Sequence, residues 1–367
     1  MLPLLPFVYE PLPSRVVFGA GSLQKLAEEI DQLGVMRALV LCTPEQRAIG
    51  ADIVVMLGTR FAGVFDGAAM HVPVGVADAA REKAKRVRAD CCVAIGGGST
   101  TGLAKAIALT AKLPILAIPT TYAGSEMTPI WGITEGNVKK TGRDPVVLPK
   151  TVIYDPFLTT SLPVALSVTS GINAIAHCVE ALYSRDANPI VSLMAEEGIR
   201  ALASGLPEIA RQPRNIDARS GVLYGAWLGG VSLGAVGMAL HHKLCHTLGG
   251  TFDLPHAGTH TVILPHAVAY NAAAAPEAME RVARALGVSS AAQGLYDLAA
   301  SLGAPVSLKA LGMRREQLDQ AADLAVMNPY YNPRPVTRDG VRKLLEDAFE
   351  GRRPDAPRYA VALEERQ

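Results

Sequence analysis

The 367-residue sequence lacks several features that would assign it to a class at once. Charged residues make up only 19 % and the formal net charge is +1, so charge gives no reason to expect nucleic acid or a membrane surface as a partner. The five cysteines form an odd set without a CxxC pair, which predicts reduced thiols. No apolar run reaches the length of a membrane span, and the proline-broken residues 1–15 lack the basic start of a signal peptide. We therefore expect a cytoplasmic protein.

The hydrophobic content of 49 % and the length predict a globular chain with two cores. In the first part, the apolar runs RALVLCT, CCVAIGGGST and PILAIPTT alternate with helical patterns, which predicts βαβ units and a mainly parallel sheet. From about Val164 the sequence becomes alanine-rich and helix-periodic. We predict an α/β domain over residues 1–160 and an all-helical domain over residues 161–367.

A glycine-rich segment lies between a predicted buried strand and a helix, at Gly96, Gly97, Gly98 and Ser99. Glycines let the backbone approach an anion, and the N-terminus of the following helix offers unpaired N–H groups, so the segment suits a pyrophosphate. It is not GxGxxG, so a standard dinucleotide fingerprint is absent and a turn without ligand remains the alternative.

A second loop follows the next predicted strand and carries hydroxyl groups at Thr120, Thr121 and Ser125. The carboxyl ends of parallel strands share one edge of the sheet, where ligands bind. The loop either lines the same dinucleotide or is an ordinary polar loop.

Six of the eight histidines lie between Val236 and Asn271, namely His241, His242, His246, His256, His260 and His266. His242 and His246 are four apart and share one helix face. We expect the LGG tract to end that helix and Pro255 to introduce His256 on a new segment. Imidazole suits proton transfer and borderline metals, although some of these side chains could be hydrogen-bonded core histidines.

Two further segments carry polar side chains. Asn173 and His177 are four apart on a predicted helix and so share a face, as a polar packing pair or as part of a site. Near the end, residues 328–337 form a proline-rich loop with Tyr330, Tyr331 and Arg334. The planar guanidinium suits a carboxylate, but a solvated loop fits these residues equally well.

The GGGS segment, the TT-x-GSE-like loop and the H-x3-H-x9-H pattern over 242–256 together resemble the iron-containing alcohol dehydrogenase family, over essentially the whole chain. The resemblance implies the dehydroquinate synthase-like fold, an N-terminal NAD(P)-binding domain, an all-helical C-terminal domain, catalysis in the cleft between them and a homodimer. Within the family, GGGSTTGLAK, PTTYAGSEMT, LHHKLCHTLGG and NPYYNPRP look most like the maleylacetate reductase branch. That branch reduces the carbon–carbon double bond of maleylacetate with NADH or NADPH, giving 3-oxoadipate in aromatic compound degradation.

The resemblance also implies a ligand set. Metal-dependent members have an aspartate where this chain has Asn173, with histidines that match His177, His242 and His256. Because the only anionic ligand is missing, we expect catalysis without a metal; iron or zinc would have to be held by the three histidines. Members that prefer NAD often have an aspartate at the end of the second strand, where this chain has Thr43, so neither cofactor is excluded. Gly102 also replaces the aspartate of the usual GGGSxxDxAK motif.

Hydride addition to a double bond conjugated with a ketone creates an enolate, which needs hydrogen-bond donors and a proton source. The candidates for these catalytic roles are His242, His246 and His241. The candidates for binding the dicarboxylate substrate are His177, His256, Lys243, Asn173 and Arg334. The candidates for binding the cofactor are Gly96, Gly97, Gly98, Ser99, Thr120, Thr121, Ser125 and Thr43. Two alternatives stay open: a metal-dependent alcohol dehydrogenase, and an inactive dinucleotide-binding redox sensor.

Overall fold

A computed structural model describes residues 7, 9–12, 14–136 and 138–354, and it divides the chain into two compact units. The expectation that residues 1–15 are not a signal peptide falls mostly outside the described residues. All five cysteines lie in the described part of the chain, buried and free, which confirms the prediction of unpaired thiols.

One unit comprises residues 11–162 and 212–234 and is built on a six-stranded sheet in the order β1-β8-β5-β4-β2-β3. Every pairing in this sheet is parallel, and β6 and β7 form a separate antiparallel hairpin. The elements of its first part are β1 (Arg15–Phe18), α1 (Leu26–Gln32), β2 (Ala38–Leu41), α2 (Arg47–Leu57), β3 (Phe61–Phe65), α3 (Val74–Arg86), β4 (Cys91–Gly96), α4 (Gly98–Ala111), β5 (Ile115–Pro119), β6 (Ile130–Glu135), β7 (Val138–Arg143) and β8 (Thr151–Tyr154). Strands β2, β4 and β5 are buried throughout, as their continuous apolar runs predicted. The α2–β3 pair and the hairpin are additions that the sequence patterns did not indicate.

The other unit comprises residues 163–211 and the chain from Ala235 onwards, and all of its described elements are helices. The helices of the second half of the chain are α5 (Val164–Leu182), α6 (Pro189–Arg211), α7 (Ile216–Ala235), α8 (Leu240–Phe252), α9 (His256–Asn271), α10 (Pro276–Leu286), α11 (Ala291–Ser301), α12 (Leu318–Val326) and α13 (Arg338–Glu350). The mainly parallel α/β domain and the helical domain agree with the fold class predicted from the sequence.

Residues 212–234, which carry most of α7, belong to the unit that contains the sheet, although the sequence analysis placed them in the helical domain. The reason lies in their contacts. The fully buried Arg219 donates hydrogen bonds to the carbonyl of Leu162 at 3.0 Å and to the hydroxyl of Tyr122 at 3.1 Å. A Cβ on Gly230 would lie 2.9 Å from the carbonyl oxygen of Gly124, so the helix packs directly on the loop that follows β5. These contacts join α7 to the sheet.

The prediction that LGG ends the histidine helix is wrong, because α8 continues through Gly249 and Gly250 to Phe252. A glycine costs a helix only about 1 kcal/mol relative to alanine, and packing overrides such a preference. The chain leaves the helix at Asp253, whose φ is 55°, and α9 then begins at His256 directly after Pro255, as predicted.

One helix has the length and composition of a membrane span, α5, where the sequence analysis had found no sufficiently long apolar run. Polar side chains such as Asn173, His177 and Glu180 interrupt it, which is why it was not recognised as one run. Most of α5 is buried inside the protein, as expected for the core helix of a globular domain. Taken together as one bent span, α7 and α8 would also qualify by length and composition.

Candidate active site

The carboxyl ends of β2 and β4 form the point where the connections of the sheet reverse direction. From β2 the chain continues to β3 on one side, whereas β4, β5, β8 and β1 lie on the other side of β2. Parallel α/β sheets bind ligands in the crevice at such a point. Thr43 follows β2, and Gly96 to Ser99 connect β4 to the first turn of α4. The structure therefore brings the predicted cofactor residues of two separate motifs to one edge of the sheet.

Gly96 and Gly97 are required by the close packing at this edge. Gly96 has a φ of +148°, and a Cβ there would lie 2.4 Å from the hydroxyl of Thr100 and 2.5 Å from Oε1 of Gln46. A Cβ on Gly97 would lie 3.0 Å from the hydroxyl of Thr121. The strand–helix turn therefore has no room for side chains at Gly96 and Gly97. The first N–H groups of α4 offer the dipole and the donors that a phosphate needs.

The hydroxyl loop after β5 reaches the same edge. Gln46 donates a hydrogen bond from Nε2 to the hydroxyl of Thr120 at 2.8 Å, and the hydroxyl of Thr43 lies 3.4 Å from Oε1 of Gln46. The hydroxyl of Thr100 is buried without a hydrogen-bond partner among the described residues. An unsatisfied buried polar group requires an explanation, and a bound ligand at this edge would supply one.

Lys105 holds the loop that contains Ser125. Its ammonium is fully buried and donates to the carbonyls of Ser125, Thr128 and Ile130 at 2.6, 2.8 and 2.7 Å. Burial lowers the pKa of Lys105 to about 7, and the neighbouring Glu126 charge opposes that change. Ser125 is accordingly engaged by Lys105 through its carbonyl, and the position of the whole loop depends on this side chain.

In the helical unit, six imidazoles form one contiguous group. His242 lies 5.2 Å from His177 and 6.1 Å from His246 between ring centroids, while His260 lies 4.8 Å from His241 and 4.5 Å from His256. These side chains come from α5, α8 and α9. The predicted convergence of the two helix-face histidines with His256 and with His177 is therefore present, and His260 joins it. His266 is buried farther along α9.

A carboxylate that the sequence analysis did not single out, Glu180, anchors this group. Its Oε2 lies 2.7 Å from Nδ1 of His242, and its two oxygens also accept the backbone N–H groups of Ala239 and His241 at 2.8 and 2.7 Å. Nε2 of His242 is buried and has no hydrogen-bond partner among the described residues. The spacing His177-x-x-Glu180 on α5 was the available signal, because residues three apart share a helix face.

His241 differs from the other two predicted catalytic histidines. It is fully buried, and its Nε2 lies 2.9 Å from Nδ1 of His260 and 3.7 Å from the thiol of Cys245. Burial first, and then the neighbouring histidines, hold the pKa values of His241, His260 and His177 well below the ordinary value of 6.5. These three rings are therefore neutral at pH 7, and His241 has no surface on which a substrate could bind.

His246 is exposed and lies next to the loop of residues 328–337. Its Nδ1 lies 3.2 Å from the hydroxyl of Tyr330, and the ammonium of Lys243 lies 5.9 Å from the centre of the Tyr330 ring. Among the described residues, no carboxylate forms an ion pair with Lys243. His246, Lys243 and Tyr330 thus present an imidazole, a cation and a phenol together, and Tyr330 is a candidate site residue in addition to those proposed from the sequence.

The guanidinium of Arg334 is engaged by Tyr270 and not by His246, Lys243 or Tyr330 in the contacts described. It donates to the backbone carbonyl of Tyr270 at 3.0 Å and stacks over that ring at 4.2 Å. Asn332 exchanges hydrogen bonds with Asn271, at 2.9 and 2.7 Å. These contacts bind the loop to the end of α9, so Arg334 supports the loop that carries Tyr330.

Asn173 and His177 lie on the buried face of α5, as the four-residue spacing predicted. The side-chain oxygen of Asn173 and Nδ1 of His177 are buried without a hydrogen-bond partner in the described structure. Nε2 of His242, Nδ1 of His241 and Nε2 of His260 are also unsatisfied, so several such atoms occur in the histidine cluster and on the adjoining turn of α5. A polar ligand is the simplest explanation for them.

Comparisons with known proteins agree with this geometry. The family model described as iron-containing alcohol dehydrogenase matches residues 13–156, and the model of the C-terminal part of the Fe-containing alcohol dehydrogenase family matches residues 167–349. The chain belongs to the iron-containing alcohol dehydrogenase family. It is 63 % identical to a maleylacetate reductase of Burkholderia cepacia, over 95 % of this chain and 99 % of the relative. A maleylacetate reductase of Sphingobium indicum is 59 % identical over the same shares.

The crystal structure of a maleylacetate reductase from Agrobacterium tumefaciens superposes with a TM-score of 0.93 at 56 % identity, covering 96 % of this chain and 100 % of that one. The similarity extends over both units, so each has the fold of the family.

The name of the family raises the question of iron, and the residues present do not fit it. Asn173 is neutral, so an anionic ligand is missing from the set implied by the resemblance. Within the described residues, the one trio of His, Cys, Asp or Glu side chains whose donor atoms lie within 4.8 Å of one another is His241, Cys245 and His260, and not His177, His242 and His256.

The trio of His241, Cys245 and His260 is also unsuited to a metal. Its two ring nitrogens already share a hydrogen bond. Burial raises the pKa of the Cys245 thiol well above 9.0, which keeps it protonated, whereas a metal binds the thiolate.

Proposed function

We propose that this oxidoreductase is a maleylacetate reductase, which uses NADH or NADPH to reduce the carbon–carbon double bond of maleylacetate to 3-oxoadipate during the degradation of aromatic compounds. The observation that carries the proposal is the near-full-length identity of 63 % to an enzyme of that name. The histidine cluster supports it, because it supplies proton-transfer groups without requiring a metal.

In this reaction a hydride adds to the alkene carbon that is β to the ketone. The electron pair of the double bond moves towards the carbonyl and leaves an enolate, which takes one proton at the neighbouring carbon. Hydrogen-bond donors must stabilise the enolate oxygen, and a general acid must deliver the proton.

We assign these two tasks to His242 and His246. Nε2 of His242 is one of several buried ring nitrogens without a hydrogen-bond partner among the described residues, and it belongs to the ring that Glu180 holds through Nδ1. His246 is exposed beside a phenol and an ammonium. His241 contributes from behind the site, since its ring contacts His242 and bonds His260. It is a supporting residue in this proposal.

The two carboxylates of the substrate require cations or donors. We propose Lys243 as the cationic partner of one carboxylate, with His256 nearby on the first turn of α9. Asn173 and the neutral His177 offer buried polar atoms for the other polar groups of the substrate. Arg334 acts indirectly, by fixing the loop that carries Tyr330.

For the cofactor, we propose that the pyrophosphate binds over Gly96, Gly97, Gly98 and Ser99, with Thr120, Thr121 and Ser125 lining the remainder. Thr43 at the end of β2 carries no charge that would repel a 2′-phosphate, so both NADH and NADPH are accepted in this proposal. We further propose that the enzyme works as a homodimer in the cytoplasm, which light scattering after size-exclusion chromatography and cell fractionation would test.

The decisive experiment measures NADH and NADPH oxidation with maleylacetate, using enzyme stripped by a chelator and checked for residual metal. Rapid turnover by the metal-free enzyme is the expected result. Turnover only after iron or zinc is restored would overturn metal-free catalysis. Absence of turnover in both conditions would refute maleylacetate as the substrate.

A further inference from the structure

We propose that Glu180 is the positioning residue of the reaction. It holds His242 with a proton on Nδ1, so that Nε2 alone faces the substrate and delivers the proton. The chemical step rests on the proposed function, whereas the hydrogen-bond arrangement stands on the geometry of the helical unit.

Glu180 is completely buried in α5, and three groups of the chain segment that begins α8 donate to it. Its Oε1 accepts the N–H of His241, and its Oε2 accepts the N–H of Ala239 and contacts Nδ1 of His242 at 2.7 Å. An ionised carboxylate can only accept, so Nδ1 is the donor of the last bond. One side chain therefore fixes the start of α8 and the orientation of the ring.

The two roles of Glu180 meet at Oε2, which serves both the N–H of Ala239 and Nδ1 of His242. In glutamine, the amide oxygen in place of Oε1 would still accept the N–H of His241, but an NH₂ in place of Oε2 would leave the N–H of Ala239 without its acceptor. A neutral residue would avoid the cost of burying a charge. Glutamine would, however, turn an NH₂ group towards His242 and make Nδ1 the acceptor, which moves the ring proton to Nε2. A buried carboxylate at this position therefore selects which ring nitrogen of His242 carries the proton, in addition to accepting the N–H groups at the start of α8.

The same arrangement provides a balanced proton transfer. His242 donates the Nε2 proton to the enolate carbon while Nδ1–H stays bonded to Glu180, and the ring becomes the neutral Nδ1–H form. The N–H bond at Nε2 breaks as the new C–H bond forms. Solvent then returns a proton to Nε2, and the carboxylate stabilises the resulting imidazolium, as the aspartate of a Ser-His-Asp triad does.

The first test is Glu180→Gln. We expect kcat for maleylacetate to fall by about 10²–10⁴-fold, with KM changed less than about threefold, because an amide does not stabilise the imidazolium that donates from Nε2; a loss of this size is seen when the carboxylate behind a catalytic histidine is replaced by an amide. In a His242→Ala background the same substitution should cause no further loss, since residues that act as a unit are not additive. Asp186→Asn is the control for an acid-to-amide change near the start of α8: the exposed Asp186 accepts the N–H of Gly237 at 3.0 Å, and its hydrogen bonds within the described residues include none to a histidine. Its kcat should stay near that of the parent enzyme.

Two results would overturn the proposal: a kcat near the parent value in Glu180→Gln, or the same fold-loss with and without His242. If Glu180→Gln does not fold, ¹⁵N NMR of the parent enzyme with labelled histidines shows which ring nitrogen of His242 is protonated. The His242 signals are assigned as those that disappear in the His242→Ala variant. A protonated Nδ1 on His242 is expected, and a neutral ring protonated at Nε2 would refute the idea. Failure of the parent enzyme to reduce maleylacetate would remove the proposed function, while the NMR result would still test the hydrogen-bond arrangement.

Discussion

Replacement of Lys105 by methionine should weaken both the fold of the sheet unit and the binding of the cofactor. The ammonium bonds the carbonyls of Ser125, Thr128 and Ile130, which lie in the segment that runs from β5 to the first residue of β6. Methionine has similar length and fills the same space without a donor. The substitution therefore leaves three carbonyls without their partner and releases the loop that we assign to the cofactor.

The magnitude follows from those three bonds. Each buried carbonyl that loses its partner costs about 1–3 kcal/mol, which gives about 3–9 kcal/mol in total. The fully buried ammonium, whose pKa burial lowers to about 7, no longer has to be desolvated, and this offsets part of the loss. We expect a net loss of about 2–4 kcal/mol, which for a unit of this size lowers Tm by about 5–15 °C.

The assay uses the two tryptophans of the chain, Trp131 and Trp227, which both lie in the sheet unit and report its unfolding by fluorescence. Binding of NADH is measured separately and should weaken several-fold. Lys112→Met, at the exposed end of the same helix, is the control and should change neither quantity. A Lys105→Met protein with the parent Tm and an unchanged Kd for NADH would refute the reasoning.

Three further predictions address other parts of the molecule. His246→Ala should lose most turnover while its thermal unfolding changes little, because the ring is exposed and its Nδ1 contacts the hydroxyl of Tyr330 at the surface; near-normal turnover would remove it from the mechanism. Thr43→Asp should lower kcat/KM for NADPH relative to NADH by about 10–100-fold through repulsion of the 2′-phosphate, and an unchanged ratio would place the ribose elsewhere. Burial, opposed by the Asp347 charge, lowers the pKa of His266 to about 4. Since the unfolded imidazole titrates near 6.5, the unfolded chain gains the proton between pH 6.5 and 4, so stability is lost as the pH falls through that window. Urea titrations should show that His266→Leu loses about 2–3 kcal/mol less free energy of unfolding between pH 7 and 4.5 than the parent does. The same decrease in the variant and the parent would contradict this.

The parts of the fold that the sequence predicts are those in which burial produces a pattern. Strands β2, β4 and β5 are covered on both faces, so their apolar runs are continuous and recognisable. The assignment of α7 to the sheet unit could not be predicted in this way. Buried residues are spread along that helix without a single apolar face. Its contacts are made by individual residues, Gly230 against the backbone of Gly124 and Arg219 with Leu162 and Tyr122, and not by a repeating pattern.

The site shows the same limit in another form. Residue type and spacing located the histidines, because an imidazole is informative wherever it occurs. They could not show that His241 faces the interior and His246 the surface, although both are on α8. Nor could they pair Glu180 with His242, since the two residues are 62 positions apart and only the tertiary fold brings them together.

The position of Glu180 also explains how the cluster can work after the loss of an anionic ligand. Where the resemblance would put an aspartate facing a cation, this chain has the neutral Asn173. The buried negative charge stands instead behind one imidazole, at Nδ1 of His242. Burial keeps His177, His241 and His260 neutral, so in the proposed mechanism that carboxylate selects His242 as the ring that carries a proton to the substrate. The mechanism that we propose thus uses one imidazole, oriented by a single carboxylate, where a metal would polarise a carbonyl.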